Sequence, residues 1–169
     1  MSARSRISLD GQWDFAITKI QNTEHCAQIV VPSPWQADPR FRNHNGEAWY
    51  QRDFQVPAEW LVETRRIILG FGAVDYFAEV WVNGIKVGEH EGGYLPFELD
   101  ITNAAHPGMN TLTVRVDDQL EIFPEIPHGK QSWYGLLSGI WQSVWVESRP
   151  VNYIQRVKIS TDGGQVYVK

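Results

Sequence analysis

The sequence contains little cysteine and no long apolar run. Cys26 is the single cysteine among 169 residues, so an internal disulfide and a cysteine-based zinc site are excluded. The first residues, MSARSRISLDGQW, lack the apolar segment of a secretory signal peptide. Nowhere do apolar residues approach the roughly 20 consecutive positions of a membrane span. We therefore expect a cytoplasmic protein that makes no membrane contact.

An excess of positive charge is also absent. The formal net charge is −5 at pH 7, and no long run of either sign occurs. Nucleic-acid-binding surfaces and polybasic membrane contacts both need clustered lysine and arginine, so neither kind of partner is expected. The five histidines show no metal-ligand spacing. The sequence thus predicts neither a metal nor a cofactor.

Paired carboxylates in a catalytic arrangement are missing as well. Asp117 and Asp118 are adjacent, and adjacent strand residues point to opposite faces of a sheet. Glu89 and Glu91 can share a face, but they stand beside a glycine pair in a predicted loop. No serine lies in a nucleophile elbow, and the glycine-rich stretches lack the following helix of a phosphate-binding loop. The residues by themselves argue against an autonomous enzyme.

Strand patterns are what the sequence has in abundance. Apolar and polar residues alternate in GQWDFAI, AWYQRDFQVP, NTLTVRVDD and GIWQSVWVE, as expected of half-buried strands. RRIILGF is a continuous apolar run, typical of a strand buried on both faces. In FAEVWVNGIKVG, Asn83-Gly84 separates two runs, which predicts a two-residue hairpin with a type I′ turn. Short strands between Gly, Pro, Asn and Asp predict an all-β antiparallel sandwich or jelly roll.

Three details refine this prediction. Helix is expected only as a turn near residues 58–62 or 103–106. Trp141 and Trp145 share one face of GIWQSVWVE, and we expect them in the core or in a contact between domains. Arg52 lies among apolar residues on one strand face, which predicts a buried carboxylate partner.

The composition changes after Pro150. Residues 1–150 are predicted to form the jelly-roll domain, and residues 151–169 a linker followed by two short strands, with Asp162-Gly163-Gly164 as their turn. The last strand has no obvious partner in the first sandwich. We therefore interpret residues 151–169 as the linker and first strands of a truncated next domain.

Several stretches, in this order, resemble the N-terminal sugar-binding domain of glycoside hydrolase family 2: LDGQWDF, VPSPW, WYQRDFQVP, RIILGFGAVDYFAEVWVNGIKVGEHEGGYLPFELDIT, NTLTVRVDD and SGIWQSVWVE. The resemblance covers roughly residues 7–150. It implies a jelly roll, then an immunoglobulin-like domain, then a TIM barrel that carries both catalytic glutamates. The parent protein would be a retaining β-glycosidase, with a pattern that most resembles bacterial β-galactosidases. The chain itself would be inactive.

The resemblance also implies residues at the rim of a sugar pocket. In β-galactosidases of the family this domain contributes an asparagine before the aromatic-Tyr strand, which here is Asn45, and an aspartate after VRV, which here is Asp118, or Asp117 if the register slips by one. The loop from IPHGKQ to SWYG lies on the same side in the family, so His128, Lys130 and Trp133 are further candidates.

Each candidate has a plainer interpretation. Asp118 and Asn45 also suit turns in which they bond backbone N–H groups, and Lys130 also suits a solvated surface position. Trp133 either stacks on a sugar or packs against a neighbouring domain.

Three functions remain open from the sequence. The chain is an accessory domain of a family 2 glycosidase, a free-standing carbohydrate-binding module, or a structural module for contacts between domains or within a homo-oligomer. Its expected partners are a β-glycoside or monosaccharide and the immunoglobulin-like and TIM-barrel domains downstream.

Overall fold

Two antiparallel sheets face each other across the hydrophobic core of the chain. The computed structural model describes residues 5–21, 26–119, 136–154, 157–162 and 164–168. Its strands, numbered along the chain, are β1 Ser5–Ser8, β2 Gly11–Ala16, β3 Ala27–Val31, β4 Gly46–Val56, β5 Arg65–Phe71, β6 Phe77–Val82, β7 Ile85–Glu91, β8 Phe97–Asp100, β9 Gly108–Asp118, β10 Val144–Pro150, β11 Ile159–Asp162 and β12 Gln165–Val168. The all-β sandwich predicted from the alternating patterns is confirmed.

The larger sheet has six strands in the order β3-β2-β4-β9-β6-β7, and the smaller has four in the order β1-β10-β5-β8. Apart from β2–β3 and β6–β7, the strands that are neighbours in these two sheets are not consecutive in the chain. The central pair, β4 and β9, runs in register from Gly46 opposite Asp118 to Val56 opposite Gly108. Each end of this long pair therefore brings a fixed set of residues together.

Both sheets bury one face in a single core. In β9 the inward residues Leu112, Val114 and Val116 are all 0% exposed, as the period of two in NTLTVRVDD requires. Strand β5 is buried along almost its whole length, which confirms the prediction from its continuous apolar run. The smaller sheet supplies Ile67, Leu69, Phe71, Val144 and Val146.

The hairpin predicted at Asn83-Gly84 is confirmed. Both residues have positive φ, 52° at Asn83 and 79° at Gly84, as a type I′ turn needs. The Asn83 side chain donates to the Ala104 carbonyl at 2.9 Å and accepts from the Thr111 amide at 3.0 Å. The turn is thus tied to both the β9 strand and the loop that precedes it.

Helix is limited to the short 3-10 turns Trp35–Ala37 and Ala58–Trp60 in the described part of the chain. The second lies where a turn was expected, and the first was missed. No helix among the described residues is long and apolar enough to cross a membrane.

Two local expectations were wrong in detail. The strand predicted from residue 139 begins only at Val144, because residues 138–140 instead bond to the loops that contain Ser33 and Asp75. Among the described residues no carboxylate forms an ion pair with Arg52. Its guanidinium donates to the Gln12 carbonyl at 2.8 Å and lies 5.9 Å from the ring centre of Trp13.

After residue 150 the chain forms a separate two-stranded antiparallel sheet. Strands β11 and β12 pair with each other, with Ile159 opposite Val168 and Asp162 opposite Gln165. This is the position at which the sequence indicated two short strands. Ile154 and Ile159 are 72% and 67% exposed, so this segment presents apolar side chains to its surroundings.

The alternation along β9 makes a stability prediction. Replacing Leu112 with Ala should lower the free energy of unfolding by about 2–5 kcal/mol, because a fully buried side chain is lost and a cavity remains. The neighbouring Thr113 lies on the outward face, and Thr113→Ala should cost no more than about 1 kcal/mol. Urea denaturation of both variants measures the difference. Equal losses would contradict the assigned faces.

Candidate functional site

One end of the sandwich gathers the start of β4, the end of β9 and three loops, and we call it the loop end. The β4–β9 register places Gly46 opposite Asp118. The loop before β6 joins the segment before β10 by two backbone bonds, from Asp75 N to Gly139 O at 3.0 Å and from Gly139 N to Asp75 O at 2.7 Å. The loop after β7 joins through Gly92 N, which donates to the Tyr76 carbonyl at 3.1 Å.

Two of the candidate sugar-contact residues lie together at the loop end. Asn45 immediately precedes Gly46, which pairs with Asp118, so antiparallel pairing brings both residues to the same edge. Asn45 is exposed, whereas Asp118 is 0% exposed. Of the two, the side chain that faces solvent is therefore Asn45.

Asp117 belongs to the opposite, outward face of the larger sheet. It accepts a bond from Arg115 at 3.1 Å, and Arg115 also donates to Glu47 at 2.6 Å and to Glu79 at 2.7 Å. Adjacent residues thus point to opposite faces, as expected, and Asp117 and Asp118 form no acid–base couple across a cleft.

Glu89 and Glu91 lie in β7 rather than in a loop, and both have structural partners. Lys86 donates to Glu89 at 2.9 Å, and the Tyr76 hydroxyl donates to Glu91 at 2.8 Å. These contacts account for both carboxylates without a catalytic role.

Asp75 is a residue that the sequence analysis missed. It is 0% exposed, and neither carboxylate oxygen has a hydrogen-bond partner. Burial, followed by the negative charge of Asp118, raises the pKa of Asp75 from 3.8 to about 7. The signal that could have found it is the single acidic residue in the apolar stretch GFGAVDYFA, because a lone acid in a buried segment needs a special environment.

Glycine backbone packs directly against this carboxyl group. A Cβ atom added at Gly93 would overlap the Asp75 carboxyl carbon and both of its oxygens. The neighbouring Gly92 has a φ of 116°, a conformation that side chains disfavour. The glycine pair, read from the sequence only as a loop signal, lets the backbone cover Asp75.

Gly139 likewise lets the backbone pack where a side chain would not fit, here against buried aromatic residues. Its φ is 91°, and an added Cβ would overlap the Tyr50 hydroxyl and lie 2.9 Å from Cε3 of Trp35. Burial raises the pKa of the Tyr50 hydroxyl, so this group stays neutral. The segment is further fixed by Ser138, which accepts a bond from the Gln36 side chain at 2.6 Å.

The aromatic residues of the loop end are partly exposed. Trp141 donates from Nε1 to the Gly93 carbonyl at 2.7 Å and meets Tyr94 edge to face, with ring centres 5.7 Å apart. Tyr94 is 49% exposed and Leu95 is 71% exposed. Trp145 lies elsewhere, on the outward face of the smaller sheet beneath Arg6, whose guanidinium carbon is 3.8 Å from its ring centre. Both tryptophans are half-buried.

The remaining candidates, His128, Lys130 and Trp133, lie outside the described residues. Within the described ranges no group of three or more His, Cys, Asp or Glu side chains could hold a metal ion. The described chemistry of the loop end consists of amide, aromatic and buried acidic groups.

Comparison with protein families gives a match over most of the chain. The family described as "Glycosyl hydrolases family 2, sugar binding domain" matches residues 6–150. The β-glucuronidase of Rattus norvegicus is 29% identical over 195 residues, covering 91% of this chain and 30% of the relative. The β-glucuronidase of Paenibacillus borealis is 42% identical over 111 residues, covering 61% and 18%.

Solved structures give the same picture. The Ruminococcus gnavus β-glucuronidase in complex with D-glucaro 1,5-lactone has a TM-score of 0.77 and 28% identity, covering 98% of this chain and 33% of its own. The Bifidobacterium dentium β-glucuronidase complexed with coumarin-3-O-glucuronide also has a TM-score of 0.77 and 28% identity, covering 96% and 32%. The chain spans about a third of the length of these proteins.

The close packing of Gly139 against Tyr50 can be tested by comparison with Gly108, a second glycine with positive φ. Gly139→Ala and Gly108→Ala should each cost about 1–2 kcal/mol from positive φ alone, because the φ of Gly108 is 89°. An added Cβ at Gly108 meets nothing within 4 Å. Gly139→Ala should therefore lose about 1–3 kcal/mol more, from overpacking. Chemical denaturation measures both losses, and similar values would show that Gly139 is not held against Tyr50.

Proposed function

Since the chain belongs to the sugar-binding domain family of the family 2 glycosyl hydrolases, we propose that it is the non-catalytic N-terminal domain of a retaining β-glucuronidase. The domain would supply contacts at the rim of the sugar pocket and pack against a catalytic segment elsewhere in the parent chain. The proposal rests on one observation. Nearly the whole of this chain is similar to a segment that makes up about a third of several β-glucuronidases.

The substrate class differs from the one favoured by the sequence. A β-galactosidase pattern was expected, but the relatives and structures described above are β-glucuronidases, and a β-galactosidase specificity is not supported. A β-D-glucuronide is therefore the substrate that we propose for the parent protein.

The acids of the domain support an accessory role. Glycoside hydrolysis with retention needs two carboxyl groups about 5–5.5 Å apart, on either side of a bond that the substrate brings between them. Asp75 and Asp118 are close enough to interact electrostatically, but both are 0% exposed. Asp117, Glu89 and Glu91 are engaged by neighbouring side chains.

Asn45 is the described group best placed to contact a sugar. The residue is exposed at the loop end, and an asparagine amide can both donate to and accept from hydroxyl groups. The amide can also donate to the carboxylate of a glucuronide without adding charge. Asp118 lies at the same edge but is 0% exposed, so a ligand in solvent does not reach it in this arrangement.

Packing against other parts of the parent chain is the second part of the proposal. Leu95 at the loop end and Ile154 and Ile159 after the sandwich are 71%, 72% and 67% exposed. Large apolar side chains exposed to this degree are typical of contact surfaces when they cluster. An immunoglobulin-like and a TIM-barrel domain are the partners that the family resemblance implies.

A substitution at Asn45 tests the rim contact in the full-length enzyme. Asn45→Ala should raise KM for p-nitrophenyl β-D-glucuronide by about two- to tenfold, because a neutral hydrogen bond contributes about 0.5–1.5 kcal/mol. The matched control is Asn103→Ala, since Asn103 is also exposed but precedes β9 at the opposite end of the sheet. Equal KM values in both variants would remove Asn45 from the site.

The proposal that the chain alone is non-catalytic has its own test. The purified 169-residue chain should show no turnover of p-nitrophenyl β-D-glucuronide, because the acids described at the loop end are buried or already engaged by neighbouring side chains. Turnover that Asp75→Asn abolishes would instead make the chain an enzyme. Saturable binding of glucuronic acid by the chain alone, followed by tryptophan fluorescence, would favour a free-standing carbohydrate-binding module.

A further inference from the structure

A buried carboxyl group without a hydrogen-bond partner marks the centre of the loop end. Asp75 is 0% exposed, and both of its oxygens lack a partner. An ionised carboxylate in such a place loses its hydration and gains nothing in return. Asp118 is also fully buried nearby, so a second negative charge makes ionisation of Asp75 less favourable still.

The group lies under the loop that follows β7. Gly93 covers the carboxyl group so closely that a side chain would not fit. The loop is held by the bond from Gly92 N to Tyr76 O at 3.1 Å and by the bond from Trp141 Nε1 to Gly93 O at 2.7 Å. Hydration of Asp75 would require this loop to move.

We propose that Asp75 is a proton-controlled latch. When its carboxyl group is protonated, the Gly92–Gly93 loop closes over it, and when the group ionises, the loop is released. The latch gives the loop end a pH response independent of any catalytic group. It stands on the geometry of the chain and does not depend on the proposed β-glucuronidase role.

Among the described groups around Asp75, Asp118 is the one whose charge raises the pKa of Asp75. From β4, the Tyr50 hydroxyl is kept neutral because burial raises its pKa. From the same loop, Tyr76 donates to Glu91, and this bond raises the pKa of Tyr76 as well. Gly93 and Gly139 bring only backbone. At the end of β9 stands Asp118, whose charge adds to burial in raising the pKa of Asp75 to about 7.

The sign of the pH effect follows from the direction of this shift. The folded chain binds the Asp75 proton more tightly than the unfolded chain, in which the pKa has its ordinary value of 3.8. Stability is therefore highest below pH 4 as far as this group is concerned, and it declines as the pH rises from about 4 through about 7. Above that range the contribution is fully lost.

His90 gives a second pH effect of opposite direction. Its ring stacks on Phe97 with centres 4.1 Å apart, and burial lowers the pKa of His90 below 6.5. The folded state then binds this proton less tightly than the unfolded state. The contribution of His90 to stability is present above pH 6.5 and is lost as the pH falls. The effect of Asp75 is therefore measured as the difference between the unmodified chain and Asp75→Asn, both of which retain His90.

The decisive experiment is a carboxyl 13C NMR titration of the 169-residue chain from pH 4 to pH 9, with Asp75→Asn used to assign the signal. We expect Asp75 to titrate near pH 7, and in Asp118→Asn at a lower pH. A midpoint near 4 would overturn the proposal. Because the titration is recorded on the unmodified chain, it does not depend on the stability of any variant beyond the assignment.

Denaturation and fluorescence then test the latch itself. Between pH 4.5 and pH 8 the unfolding constant of the unmodified chain should rise by about two to three orders of magnitude relative to Asp75→Asn. Asp53→Asn, at an exposed strand position, should follow the unmodified chain. A fluorescence change with the midpoint of Asp75 should disappear in Trp141→Phe.

Two results would contradict the latch. Identical pH profiles for the unmodified chain and Asp75→Asn would show that the Asp75 proton is not linked to folding. A stability increase on addition of calcium chloride that requires both Asp75 and Asp118 would show that the two acids hold a cation and not a proton.

Discussion

The antiparallel pairing of β4 with β9 is the constraint on which the rest of the structure depends. Each strand has eleven residues, and the pair is continuous from Gly46 opposite Asp118 to Val56 opposite Gly108. A slip of one residue would turn every buried side chain of one strand outward. If β9 were the strand that slipped, Arg115 and Asp117 would also turn into the core, where unpaired charges are strongly unfavourable. Packing and electrostatics therefore select the same register.

That register separates two kinds of acidic environment. On the outward face, Glu47, Glu79 and Asp117 surround Arg115. The Lys86 and Arg115 contacts lower the pKa of Glu79 despite its partial burial. At the loop end, burial and the charge of the neighbouring Asp118 raise the pKa of Asp75. The same side-chain chemistry thus gives carboxylates with lowered pKa on one side of the sheet and, at its end, an acid whose pKa is raised to about 7.

The sequence was sufficient for features set by local patterns. The period of two located the buried residues of β9, and Asn83-Gly84 located a turn because few residue pairs accept two positive φ angles. The adjacency of Asp117 and Asp118 was enough to place them on opposite faces. The family resemblance supplied Asn45 and Asp118, and the register then placed them at the same edge.

Features set by distant contacts could not be predicted. Asp75 bonds to Gly139, which is far away in the sequence, and no local pattern indicates that pairing. The same contact delays the start of β10, since residues 138–140 are already engaged by other loops. Arg52 was assigned a carboxylate partner because a charge on an apolar face suggests one, yet a backbone carbonyl and an aromatic ring satisfy it. The sequence shows which groups need a partner, while only the fold shows which partner each one has.

The charge state of Asp75 also bears on the substrate proposed for the parent enzyme. A glucuronide carries a carboxylate, so two ionised acids at the loop end would repel it, and they would do so more strongly in a site from which water is excluded. Below about pH 7 Asp75 is mostly protonated, and the negative charge of the acid pair is then largely that of Asp118. Asn45 then faces solvent as an uncharged group able to donate hydrogen bonds. A neutral acid buried beneath the loop end is thus compatible with an anionic sugar, where an ionised pair would work against its binding.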